Sequence, residues 1–182
     1  MTGIANQLVL FAWENSPENI VTNELPEYDD AYSACSETFA TLRIYHDEIP
    51  PTEVTSRLGV KPDKSQTKGE RFSGKRRGVA RINGWFLTTD GKVDSRDSRR
   101  HIDLLTSQVW DKAEVFAQML EDGFEIDISS FWISRSGNGG PMLSPFQMRR
   151  LAELGIEVNW DIYFENDDYS EGKSAEDDSS RP

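Results

Sequence analysis

From residue 38 onward the chain switches between a two-residue and a three-to-four-residue hydrophobic period, and the switches mark its elements. Thr38–Tyr45 alternates, with Ala40, Leu42 and Ile44 on one side, which predicts a strand with one buried face. Pro50-Pro51 then opens a short helix carrying Val54 and Leu58. Gly59 closes it, because a helix end needs a left-handed residue and glycine has no Cβ to clash there. Residues 61–81 lack an apolar period and predict a loop. Trp85–Thr88 predicts a strand, flanked by Asn83-Gly84 and Asp90-Gly91, both hairpin-type pairs.

From Ser98 the period becomes helical. Ile102, Leu105, Val109, Ala113, Phe116 and Leu120 recur at steps of three and four, predicting one long helix that stops at Gly123. Phe124, Ile126, Ile128, Ser130 and Trp132 alternate as a strand. Ser136–Pro141 is a Gly-rich loop, after which Ser144 and Gln147 form a capping box with Pro145 at the first helical position. That helix runs through Met148 and Leu151 to Gly155. The last strand places Ile156, Val158, Trp160, Ile162 and Phe164 on one side and Glu157, Asn159, Asp161 and Tyr163 on the other, so Trp160 is expected in the core.

Two stretches parallel each other: a strand, a proline-opened helix and Leu58-Gly59-Val60, then a strand, a proline-opened helix and Leu154-Gly155-Ile156. They predict two related β-α-β halves joined by the long helix. Because each strand has one apolar side, the expected fold class is α+β: a single mixed β-sheet with helices packed on one face, a ferredoxin-like or related two-layer sandwich.

Charge divides the chain into three parts. Residues 1–37 carry seven carboxylates and no Lys or Arg, and residues 165–182 carry seven against Lys173 and Arg181. These ends hold the whole formal net charge of −12, so the stretch 38–164 is neutral. We read 1–37 as an acidic segment and linker, 38–164 as the domain and 165–182 as an acidic disordered tail. The apolar run Leu8–Trp13 is a short strand or docking segment, too short for a signal peptide or a membrane span. Cys35 is the single cysteine, so no intrachain disulfide can form, and a cytoplasmic setting is expected.

Within the neutral body two charged patches stand out. Lys61, Lys64, Lys68, Arg71, Lys75, Arg76, Arg77 and Arg81 face only Asp63 and Glu70. Such a run suits an anion or nucleic acid, with Lys68, Arg71, Lys75, Arg76, Arg77 and the adjacent Trp85 as the binding set, or it answers the acidic ends of its own chain. The stretch Gly69 to Lys75 matches the G-x-x-x-x-G-K of a phosphate-binding loop, but Arg76 stands where a magnesium-holding Ser or Thr belongs and no buried strand precedes it. The second patch is acidic. Alternation sends Glu125 and Asp127 to one side of their strand and Glu157, Asp161 and Tyr163 to the polar side of theirs. If the two strands are neighbours, these residues form one face suited to a cationic protein.

No catalytic set is expected. His46 and His101 lack metal-ligand spacing, G-x-S-x-G and H-E-x-x-H do not occur, and neither a cofactor nor a metal is implied. Five tryptophans are many for this length; Trp85 and Trp110 are candidate partner anchors, with core packing the favoured reading of each.

Leu42-Arg43-Ile44, Leu58-Gly59-Val60-Lys61-Pro62, Lys68-Gly69-Glu70, Gly84-Trp85-Phe86-Leu87, His101-Ile102-Asp103-Leu104-Leu105, Leu151-Ala152-Glu153-Leu154-Gly155-Ile156 and Asp161-Ile162-Tyr163, in this order and spacing, resemble an uncharacterised bacterial family. It is the domain-of-unknown-function family numbered 4279, and the likeness spans about residues 38–164. The resemblance implies a small bacterial protein with no assigned catalytic residues. The expected function is a non-enzymatic protein-binding module, an immunity or inhibitor protein neutralising a toxin domain or other basic partner. The alternative is an anion- or nucleic-acid-binding regulator using the loop 61–81, and no membrane association is expected.

Overall fold

The computed structural model describes residues 27–72 and 77–165. The expectations for Leu8–Trp13, the acidic tail, Lys75 and Arg76 concern residues outside that set. The elements run β1 (Cys35–His46), α1 (Pro51–Leu58), β2 (Lys64–Gln66), β3 (Asn83–Thr88), α2 (Ser98–Ser107), a 3-10 turn (Trp110–Lys112), α3 (Ala113–Glu121), β4 (Glu125–Ser134), α4 (Pro145–Leu154) and β5 (Glu157–Phe164). One mixed sheet of order β2-β3-β1-β4-β5 carries the fold, an α+β arrangement.

The sheet's register explains its core. Leu42 and Ile44 of β1 lie opposite Leu87 and Trp85 on one side and Ile128 and Ile126 on the other. These inward residues are fully or almost fully buried against Val54 and Leu58 of α1, Ile102 and Leu105 of α2, Phe116 and Met119 of α3, and Leu151 and Leu154 of α4. The opposite face of the sheet carries no helix among the described residues. Helix ends follow their local chemistry: Gly59 and Gly155 take left-handed φ of 69° and 66°. Gln147 Oε1 accepts the Ser144 N–H at 2.9 Å, the reciprocal bond of a capping box.

The predicted β-α-β repeat survives in altered form. β1 and β2 are each antiparallel to β3, so they run parallel with β3 between them, whereas β4 and β5 are parallel direct neighbours. The first half is thus a split unit and the second a contiguous one. Part of the stretch predicted as loop, 61–81, is β2 plus an Arg71–Val79 bridge. Of the two candidate hairpin pairs, neither joins strands: Asn83-Gly84 opens β3, and Gly91 turns the chain after it with φ 69°.

The single long helix from Ser98 is broken. Thr106 Oγ1 returns to the Ile102 carbonyl at 2.9 Å, Ser107 Oγ to Leu104 O at 2.8 Å and Gln108 Nε2 to Leu104 O at 3.3 Å. Three consecutive side chains therefore compete for helix carbonyls just before β-branched Val109, whose φ of −130° leaves the helix. The hydrophobic spacing persists across the break because Val109 and Phe116 both still reach the core.

Residues 27–34, within the stretch assigned to a linker by charge, lie against α2. Asp97 caps that helix by accepting from Arg99 N at 3.0 Å and also takes the Asp29 N–H at 2.8 Å. The Tyr28 hydroxyl donates to Asp103 Oδ2 at 2.7 Å, and Arg100 holds Asp30 through two bonds of 2.6 and 2.8 Å. Of the N-terminal carboxylates, Asp30 is thus tied down by α2.

A candidate protein-binding face on the helix-free side of the sheet

β4 and β5 are adjacent and in register, with Asp127 opposite Glu157, Phe131 opposite Asp161 and Ile133 opposite Tyr163. Period-two geometry therefore brings Glu125, Asp127, Glu157, Asp161 and Tyr163 onto one face, as the alternation predicts. Glu125, Glu157 and Asp161 are exposed. Glu125 and Glu157 make no ion pair among the described residues.

Two features of this face escaped the sequence reading. Arg43 on β1 makes a bidentate pair with Asp127, Nε and Nη2 each at 2.7 Å from a carboxylate oxygen, and Asn159 Nδ2 adds a bond of 2.9 Å to Asp127. The bond to Asp127 pushes the Arg43 guanidinium still further toward its charged form. Asp127 is thereby a built part of the sheet, and the free negative charge belongs to its neighbours. The second feature is aromatic. Phe39, Phe131 and Tyr163 form a row across β1, β4 and β5, with ring centroids 4.6 Å apart and nearly parallel for the first pair and 5.3 Å for the second. The signal was present: alternation that turns Ala40 and Leu42 inward turns Phe39 and Arg43 outward. Within the row Phe131 is buried, and Phe39 and Tyr163 are half-buried on either side of it.

The basic patch lies at the other edge of the same face. Lys64, Arg77 and Arg81 line a groove of about 1090 Å³ with Tyr45, Phe72 and Phe86. Lys68 points elsewhere, pairing with Asp47 at 2.6 Å. Arg71 is exposed on the bridge to Val79. Trp85, expected beside these cations, is fully buried, because its position in β3 faces the helices and its Nε1 donates to Thr55 Oγ1 of α1 at 3.1 Å. It is a core residue and leaves the anion-binding set. Lys75, the lysine of the phosphate-loop-like stretch, falls among the residues not described.

Two other tryptophans, for which core packing is the favoured reading, are partly exposed. Trp110 is 40% exposed under the Arg150 guanidinium, 4.4 Å from its ring centroid. Trp160, expected in the core, is 36% exposed because β5 is the sheet's edge.

The histidines are structural. His46 Nδ1 accepts the Glu48 and Ile49 N–H groups at 3.0 and 2.7 Å, shaping the turn into α1. His101 is buried, its Nε2 donating to Ser95 O at 2.9 Å and its Nδ1 facing Thr89 Oγ1 at 2.7 Å; burial holds its pKa below the ordinary value. Among the described residues no His, Cys, Asp or Glu cluster has the makings of a metal site. Burial pushes the Cys35 thiol up to about 11, which leaves it unreactive at neutral pH.

An α+β domain with one acidic-aromatic sheet face and no helix long and apolar enough to cross a membrane among its described residues is the class this geometry defines. A family model described as "Domain of unknown function (DUF4279)" matches residues 36–165, and the chain belongs to that family. No curated protein and no solved structure matches it.

Proposed function

We propose that this protein is a non-enzymatic, cytoplasmic protein-binding module, acting as an immunity or inhibitor protein against a basic partner such as a toxin domain. The observation that carries the reading is the Phe39–Phe131–Tyr163 row bordered by the exposed carboxylates Glu157 and Asp161. The half-buried Phe39 and Tyr163, held by the buried Phe131 between them, supply contact area at low entropic cost, and the carboxylates beside them steer a cationic surface into register. Arg43 holds Asp127 in place so that the strip stays organised before any partner arrives.

A test uses affinity capture in the native host with three baits: wild type, Glu157→Lys with Asp161→Lys, and Lys64→Glu with Arg81→Glu. A basic protein enriched by the first and third baits and lost from the second supports the reading. Equal enrichment by all three rejects the acidic face.

The groove at Lys64, Arg77 and Arg81 supports a second reading, an anion- or nucleic-acid-binding regulator, because aromatic walls beside cations that make no ion pair among the described residues suit bases and phosphates. Single-stranded RNA binding that weakens steeply with salt, and is abolished by Lys64→Glu with Arg81→Glu, would favour it.

A further inference from the structure

Among the described residues the outer strand β5 has a free edge, an incompletely covered helix side and exposed carboxylates on its other side. No strand lies beside its free edge among the described residues, although it is eight residues long, against three for β2 at the opposite edge. On the helix side its cover fades along the strand: Ile156 is 6% exposed, Trp160 36%, Ile162 45% and Phe164 46%. On the helix-free side stand Glu157, Asn159 and Asp161.

A long, uncovered edge with a row of large apolar side chains is ordinarily an aggregation hazard, and proteins blunt such edges or use them. The carboxylates here decide between occupants. A second copy pairing along β5 would bring Glu157, Asp161 and Glu165 of both copies along one seam, and like charges facing each other across strands are destabilising. A strand bearing cations on that side would meet them favourably. On its other side the same strand would have to present apolar residues to Trp160, Ile162 and Phe164.

We propose that β5 is a strand-addition site for an extended segment of a partner protein in which Lys or Arg alternates with apolar residues. Backbone hydrogen bonds to the free edge supply sequence-independent affinity, and the two faces of β5 read the alternation. This rests on the reading of the acidic face as protein-binding and adds the conformation and sequence pattern of what binds.

The test is a nuclear magnetic resonance titration of the full chain with three synthetic peptides. The first alternates lysine and valine over eight residues, with N-methyl groups along one edge to prevent self-pairing. The second has the same composition in two blocks, and the third replaces lysine with glutamate. The alternating lysine peptide is expected to bind roughly tenfold more tightly than the block isomer, the sum of a few cross-strand pairs. It should shift the amides of 157–164 and the Trp160 indole, and Trp160→Ser should weaken it severalfold. Equal binding of the block isomer, or shifts confined to the Phe39–Phe131 side, would overturn strand addition while leaving the acidic face standing. Contacts from residues 8–13 to β5 in the free protein, or dimerisation through β5, would overturn it by showing another occupant. Loss of both the peptide and the host partner from the acidic face would sink the two proposals together.

Discussion

Asp97 at the N-cap of α2 and Asp103 within it differ from Glu157 and Asp161 on β5 in nearly every respect except side-chain chemistry. The first two are 0% and 6% exposed. Asp97 is hydrogen-bonded to Arg99 and to the Asp29 N–H, and Asp103 Oδ2 takes Tyr28 and Gln147. Glu157 and Asp161 stand in solvent on the strand at the sheet's edge. The buried pair joins the segment at 27–30 to the helix layer. The exposed pair does little for the fold, which is what leaves it available to a partner. Carboxylates thus sort into structural and recognitional groups by what surrounds them, and net charge alone does not separate the two.

The sharpest way to break this contrast is at Asp97. Replacing it with Ala removes the helix cap and leaves the half-buried Arg99 without its partner, so unfolding in urea should show a loss of about 3 kcal/mol. Glu157→Lys with Asp161→Lys should change stability by less than about 0.5 kcal/mol, as exposed substitutions do. The same pair should weaken partner capture roughly tenfold or more, as loss of close charge complementarity does. A large stability loss there would show that the acidic face is structural.

Arg43→Met sits between the two groups, since Asp127 would keep Asn159 but lose its bidentate partner. A cost near 1 kcal/mol by thermal or urea unfolding is expected, because both side chains are partly in solvent.

The smallest effect is a pH dependence. Burial raises the Asp103 carboxyl above its ordinary value, with Tyr28 and Gln147 pulling less strongly the other way. A carboxyl raised in the folded state holds its proton longer there than in the unfolded chain. Its ionisation therefore costs stability as pH rises through and above the unfolded value of about 4. Asp103→Asn removes that titration, so the variant should gain on the wild type between pH 4 and 7. A constant difference across that range would show that Asp103 does not titrate as argued. Asp97, held below its ordinary value by Arg99, runs in the opposite sense and is present in both proteins, so it cancels.

The elements and their polar sides were legible in the sequence because side-chain alternation is a local property. Thr38–Tyr45, the proline-opened helices, and the polar sides of Glu125 with Asp127 and of Glu157 with Asp161 follow from spacing; that these two sides form one face depends on β4 and β5 being neighbours. What alternation cannot tell is whether an apolar side has something to pack on. Trp85 and Trp160 both lie on apolar sides; the first sits under α1 in an inner strand and the second on the edge, so one is buried and the other exposed. The break at Val109 was hidden for a related reason. Hydrophobic period continues through it, and only the side-chain bonds of Thr106, Ser107 and Gln108 to the backbone reveal it. The Arg43–Asp127 pair depends on strand order, which pairs β1 with β4 across 84 residues of sequence.

The account stands on where a partner touches the sheet, and site-specific photocrosslinking in the native host measures that directly. A crosslinking residue at Asn159 probes the acidic-aromatic face, and one at Gln66 probes the basic edge. Position 159 is predicted to capture one basic protein and position 66 none. Capture of nucleic acid, or of the same protein from position 66 alone, would contradict a partner seated on the acidic face.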